Sequence, residues 1–140
     1  MKKNKLQQLQ QQLHMKEFPL IPESVDSAAE LVESFLQSWK VEKSAVIKLR
    51  INVEETLLEW LSVCKENDSF QLSFGKGYGQ YKIQLRYKGA PCNPLTDSDS
   101  EFGSWTKSML SKLEAMPVYA YKHGINMVTF SMPRPKLNSL

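Results

Sequence analysis

The chain predicts an α+β fold, a two-layer sandwich in which a mostly antiparallel sheet is covered on one face by three helices. Two segments, Ala28 to Trp39 and Val46 to Leu61, repeat apolar residues at intervals of three and four. Two others, Phe70 to Tyr87 and Val118 to Phe130, alternate apolar and polar residues around turn signals and read as hairpins. Strands that pair as hairpins and are separated by runs of helix leave the helices segregated on one side of the sheet.

Residues 1–14 are rich in Gln and Lys, with Leu6, Leu9 and Leu13 at heptad a, d, a spacing. Two heptads are too short for an independent coiled coil, so this stretch is read as a leader helix or linker. MKEFPLI at 15–21 is a short strand that Pro19 confines to an edge or a strand end. Ser24 is the expected N-cap of the first helix, whose inward stripe is Ala28, Leu31, Val32, Phe35, Leu36 and Trp39. Glu30, Glu33 and Gln37 fall on its wet side. The second helix starts near Glu42 and runs to about Cys64, with Val46, Leu49, Val53, Leu57, Leu58 and Leu61 at helical spacing.

Phe70, Leu72 and Phe74 alternate in one strand, and Tyr81, Ile83, Leu85 and Tyr87 in the next. GKGYG at 75–79 joins them. It lacks the G-x-x-x-x-G-K-S/T spacing and sits between two strands, so it is a hairpin turn rather than a phosphate loop. Lys88 to Pro94 is a Gly/Pro loop. Thr96 to Gly103 is polar and carries Asp97, Asp99 and Glu101 without the remaining ligands of a calcium loop. A third helix covers roughly Ser104 to Ala115, with Trp105, Met109, Leu110 and Leu113 inward, and Pro117 ends it. Val118, Tyr119 and Tyr121, then Met127, Val128 and Phe130, form the last hairpin, turning at 122–126 around Gly124. The domain thus spans 15–135, with a tail at 136–140.

At 140 residues and 41% hydrophobic, the chain is one domain able to bury a core without staples. A net charge of +3 with scattered basic residues argues against a nucleic-acid partner, and Lys2, Lys3 and Lys5 read as a solvated terminus. Cys64 and Cys92 lie far apart, with no CxxC pair and no His cluster, which argues for free buried thiols in a reducing compartment and against a metal site. His14 and His123 have no nucleophile at a recognisable spacing and read as surface residues. Trp39, Trp60 and Trp105 suit helix core or rim positions. No apolar run approaches the ~18 residues of a membrane span, and the leader is too polar for a signal peptide, so a cytoplasmic domain is expected.

Four stretches occur in a telling order. L-R-I-N-V-E-E-T-L-L-E-W-L at 49–61 sets Glu55 and Glu59 one helical turn apart. I-Q-L-R-Y-K-G-A-P-C-N-P-L at 83–95 ends a strand at Tyr87 and turns through Gly89 and Asn93-Pro94. S-D-S-E-F-G-S-W at 98–105 holds one glycine, Gly103, before a helix start at Ser104. A-Y-K-H-G-I-N-M-V-T-F-S-M-P at 120–133 closes the sheet. From about Phe18 to Pro133 this resembles the histidine-kinase-like ATPase family (the GHKL or Bergerat fold), and within it the bacterial anti-sigma-factor serine-kinase-like branch.

The resemblance implies site roles and also shows departures from them. The family's helix carries a Glu that polarises water or a hydroxyl, matched by Glu55, and four residues later an Asn that binds Mg²⁺, where Glu59 stands. A carboxylate still suits a hard cation but adds negative charge beside a triphosphate. The family's strand ends in Asp-x-Gly, the Asp accepting a hydrogen bond from the adenine amino group; here Gly89 is kept and Tyr87 replaces the Asp with a bulkier ring that would fill the pocket. The family's Gly-rich lid holds phosphates through backbone N–H groups, whereas the matching loop here carries three acids, which repel phosphate.

By that resemblance the chain is expected to be a degenerate ATPase-type domain acting as a regulatory protein-binding module, with weak or no nucleotide binding and no cofactor. Its partner would be a protein of the sigma-factor or antagonist type, with a homodimer as an option. Glu59, Tyr87, Gly89, Asn93, Gly103 and Ser104 are the candidate nucleotide positions. The alternative is an active anti-sigma-type serine kinase using ATP and Mg²⁺, with Glu55 catalytic and Glu59 a Mg²⁺ ligand. A further alternative is the cytosolic regulatory domain of a larger protein, such as a membrane transporter, tethered through the Gln-rich leader.

Overall fold

The computed structural model describes residues 15–77, 79–95 and 117–133. The elements run β1 (Met15–Pro19), α1 (Pro22–Ser38), α2 (Lys43–Val63), β2 (Ser69–Gly77), β3 (Gln80–Lys88), β4 (Pro117–Lys122) and β5 (Ile125–Pro133). The strands form one sheet in the order β1-β2-β3-β5-β4, antiparallel throughout. This is the expected α+β two-layer sandwich, with two of the expected helices among the described residues. The third, 104–115 with Trp105, lies outside the described residues. So do the leader with His14, the loop 96–103 with Asp97, Asp99 and Glu101, and the tail.

Period-two alternation builds the core side of the sheet. Along β3, Tyr81, Ile83, Leu85 and Tyr87 are buried while Gln80, Lys82, Arg86 and Lys88 are exposed. The register sets like against like: Phe70 opposes Tyr87, Leu72 opposes Leu85 and Phe74 opposes Ile83, and on the other flank Val128 opposes Leu85 and Phe130 opposes Ile83. Val25, Ala28, Val32 and Leu36 of α1, and Val46, Leu49, Val53, Leu57 and Trp60 of α2, close over that face. Each large apolar side chain so buried contributes about 1.5–3 kcal/mol. The end of α1 is pinned to the β2–β3 hairpin by stacking, Phe35 on Phe74 at 4.0 Å and Trp39 on Tyr81 at 4.2 Å. Arg50 of α2 ties the helices together, reaching Glu54, Glu33 and Asp26 at 3.2, 3.0 and 3.1 Å.

Several local expectations are corrected. The N-cap position of α1 is Ile21, not Ser24, because Pro22 takes the first helical position, where its fixed φ and missing N–H fit; Ser24 is buried in the first turn. The glycine stretch is not all turn. Gly75 to Gly77 belong to β2, and Gly79 supplies the left-handed residue at φ 77°. The last hairpin turns over two residues only, His123 and Gly124, both at positive φ (53° and 78°). That is the primed turn matching the twist of paired strands, and it hands Ile125 and Asn126 to β5. Leu58 is 52% exposed, since it lies 100° round the helix from buried Leu57. Met127 is in the outward phase of β5. Both cysteines are free but half-buried rather than fully buried. Among the described residues, no helix is long and apolar enough to cross a membrane.

Candidate functional site

Tyr87 is the last inward residue of β3, and the sheet's twist carries its ring under the C-terminal half of α2. It is 3% exposed. Trp60 lies 5.5 Å away, ring centroid to centroid. The Tyr87 hydroxyl donates to Asp68 Oδ2 at 3.1 Å, and the same oxygen accepts from the backbone N–H of Lys65 at 2.8 Å. Asp68 sits in a tight turn with Asn67 at φ 70°. A Cβ added to Gly89 would fall 2.7 Å from both the Tyr87 ring and its hydroxyl. Glycine at 89 is therefore set here by the close approach of that ring, and not by backbone conformation.

Burial, with the hydrogen bond to Asp68 behind it, pushes the Tyr87 phenol up to about 12 from an ordinary 10. The folded state thus holds a proton that the unfolded chain releases first. Stability from this group is full below pH 10 and drains away as the pH climbs from 10 toward 12. Tyr87→Phe should flatten that alkaline limb in urea unfolding run across this pH range, at a cost of roughly 1 kcal/mol in neutral solution for the lost bond. An alkaline limb as steep as before would refute the assignment.

The loop after Tyr87 is stapled to the body of the protein. Asn126, 0% exposed, stands in the inward phase of β5 opposite Tyr87. Its Nδ2 donates to the carbonyls of Tyr87 and Ala90 at 3.2 and 3.0 Å. Its Oδ1 accepts from the Cys92 N–H at 2.8 Å and the Tyr119 hydroxyl at 2.6 Å. Trp60 Nε1 donates to the Cys92 carbonyl at 3.0 Å, and the Tyr121 hydroxyl to that of Gly89 at 2.9 Å. The Gly89 N–H donates to the Gly124 carbonyl at 3.0 Å. Asn93 closes an Asx turn, its Oδ1 accepting from the Leu95 N–H at 2.9 Å.

The expected acidic pair lies along α2. Asn52, Glu55, Thr56 and Glu59 recur at i, i+3, i+4 and i+7 and share one flank of the helix. Glu55 and Glu59 are half-buried, and Asn52 and Thr56 are buried. Asn52 Oδ1 has no hydrogen-bond partner among the described residues. Glu59 reaches the stapled loop. Burial, and then the Glu59 carboxylate, push the Cys92 thiol up, which makes it a poor nucleophile.

The structure thus brings together Glu59, Tyr87, Gly89 and Asn93, with Glu55 one turn along α2; Gly103 and Ser104 lie outside the described residues. For a hard cation the oxygen donors of the helix flank are chemically apt. For a purine they are not matched at 87 itself, where a phenol stands and donates a hydrogen bond to Asp68; the Asp68 carboxylate lines a cavity of about 620 Å³ with Glu66, Cys64 and Leu20. Among the described residues no three His, Cys, Asp or Glu gather as a metal cluster. Sequence reasoning missed Asn126, Asp68 and Asn52. The signal for Asn126 was its phase: it precedes Val128, Phe130 and Met132 in the same inward alternation.

No protein-family model matches the sequence, and neither does any curated protein. Solved structures do match the fold. The histidine kinase domain of a blue-light-activated histidine kinase from Erythrobacter litoralis aligns with a TM-score of 0.58 at 12% identity, over 84% of this chain and 62% of that one. The RsbU and RsbW domains of a Mycobacterium tuberculosis protein align with a TM-score of 0.58 at 10% identity, over 86% of this chain and 33% of theirs. The nucleotide-free catalytic domain of the histidine kinase ThkA aligns with a TM-score of 0.57 at 11% identity, over 87% of this chain and 99% of that domain. The chain therefore spans less than two thirds of the first two, and at these identities the likeness is one of fold.

Proposed function

We propose that this chain, which has the histidine-kinase-like ATPase fold, is a regulatory protein-binding module that binds nucleotide weakly or not at all. The observation that supports this most is Tyr87. A buried phenol, packed against Trp60 and Gly89 and bonded to Asp68, stands where the resemblance calls for an adenine-binding carboxylate. The stapled loop points the same way, since the N–H groups of Gly89 and Cys92 and the carbonyls of Gly89, Ala90 and Cys92 are spent on the protein itself. We place the module in the bacterial cytoplasm. The RsbW-type likeness and the sequence resemblance favour a partner of the sigma-factor or antagonist type.

The test is thermal unfolding with and without Mg-ATP. A ligand at 100 times its Kd would stabilise by about 2.7 kcal/mol, roughly 10 °C for a domain of this size. The module reading expects a shift under about 1 °C at millimolar Mg-ATP; a shift of several degrees overturns it. One observation favours a second reading, an active ATP- and Mg²⁺-dependent serine kinase. The unpartnered Asn52 Oδ1 shares a helix flank with Glu55 and Glu59, a donor set suited to Mg²⁺. On that reading Glu55→Ala abolishes phosphoryl transfer while the fold survives.

A further inference from the structure

The two layers carry opposite charge. α1 bears Glu23, Asp26, Glu30 and Glu33 and no Lys or Arg. The face of the sheet that no described helix covers bears Lys82, Arg86 and Lys88 along β3 and Lys122 at the end of β4, all exposed. Glu17 is its one acid among the described residues, placed on edge strand β1, where its Oε1 accepts from the Ser69 hydroxyl at 2.8 Å. The ion pairs among the described residues all converge on Arg50 in the helix layer, so none neutralises these four cations.

Beside the cations runs an apolar strip. The register places Met127 between Arg86 and Ala120, and Ile125 between Lys88 and Lys122. Val118, 63% exposed, extends the strip along β4. Arg86 is held in place: its Nε donates to Gln84 Oε1 at 2.8 Å, and Gln84 Nε2 donates to Thr129 Oγ1 at 3.1 Å. A hollow of about 200 Å³ opens between Glu17, Ser69, Gln71, Arg86, Lys88 and Ile125, with the two cations on its β3 side and the one acid on its β1 side.

From this arrangement we infer that the open face of the sheet is the docking surface of the module, and that its occupant is an acidic amphipathic segment of another protein. Such a segment lays apolar side chains on Met127, Ala120 and Val118 and its carboxylates on Arg86 and Lys88. Three other occupants fit less well. RNA wants stacking rings, and no aromatic side chain lies on this face among the described residues. A bilayer wants a larger insertable patch than Val118 on one edge strand and Met15 on the other. A second copy would have to offer α1, yet Arg50 already engages Asp26 and Glu33, and that contact, being heterologous, would build a ring or an open filament rather than a closed two-fold dimer. The inference rests on the module reading and deepens it.

The probe is a fluorescent helical peptide of about 18 residues with a leucine face and a glutamate face, compared with its glutamine analogue. The acidic peptide should bind, with affinity falling about tenfold between about 50 and about 300 mM salt. Backbone amide shifts should map to β3, β4 and β5. Arg86→Glu with Lys88→Glu should weaken binding at least about tenfold with Tm preserved, and Glu30→Lys in α1 should leave it unchanged. Should the double variant not fold, Arg86→Gln alone should still weaken binding. Equal binding of the glutamine analogue, amide shifts confined to the helices, or tighter binding of phosphatidylserine vesicles or oligouridylate would each overturn the inference. These failures are separable from that of the module reading, which falls instead to stabilisation by Mg-ATP.

Discussion

Asn126→Ala should destabilise the fold by about 3–5 kcal/mol, although it removes only a small polar side chain. The side chain satisfies four groups at once: the carbonyls of Tyr87 and Ala90, the Cys92 N–H and the Tyr119 hydroxyl. Truncation leaves buried donors and acceptors unpaired, each costing about 1–3 kcal/mol, and partial access of water offsets some of that. Asn126→Asp should be nearly as damaging, because a carboxylate oxygen then faces the carbonyls that Nδ2 now donates to. Urea unfolding measures the cost, and amide exchange at Cys92 reports whether the loop has come loose. A cost below about 1 kcal/mol would mean that the staple is not a structural determinant.

Tyr87→Ala should cost about 3–5 kcal/mol, as large-to-small changes at buried aromatic sites do. The ring touches Trp60 and lies over Gly89, so its removal leaves a void between helix and sheet that neither element can close without moving. Trp60 fluorescence should shift toward that of a solvated indole. The effects of Tyr87→Ala and Asn126→Ala should fall short of additivity, because both release the same loop. A loss under about 1.5 kcal/mol, or strict additivity, would mean that the ring fills no structural volume and that its place beneath α2 has another explanation. The Tyr87→Phe variant separates the two contributions, keeping the volume and removing only the bond to Asp68.

Part of this could be read from residues alone. The five strands and the two described helices were legible because their signals are local. Tyr81, Ile83, Leu85 and Tyr87 announce a one-sided strand whatever they pack against, and Val46, Leu49, Val53 and Leu57 announce a helix stripe. That Tyr87 stands where the resemblance calls for a carboxylate was likewise read from residues alone. Boundaries were less so: Ser24 was the better cap by composition, and Pro22 won because its ring suits the first helical turn. The two-residue turn at His123 and Gly124 escaped because a primed turn needs positive φ at both central residues and the stretch offers only one glycine, leaving histidine to take the first place.

The sequence by itself determined the layer scheme, the inward and outward phases of β2 and β3, and the chemical oddity at 87. Only the tertiary structure decided what that oddity does. Asn126 meets the carbonyl of Tyr87 across 39 residues and the N–H of Cys92 across 34, and Tyr87 meets Asp68 across 19. Periodicity carries no information at such separations. Hydrogen-bond partners so distant are fixed by the register of β3 against β5 and by the seating of α2 on the sheet, which the whole core determines together.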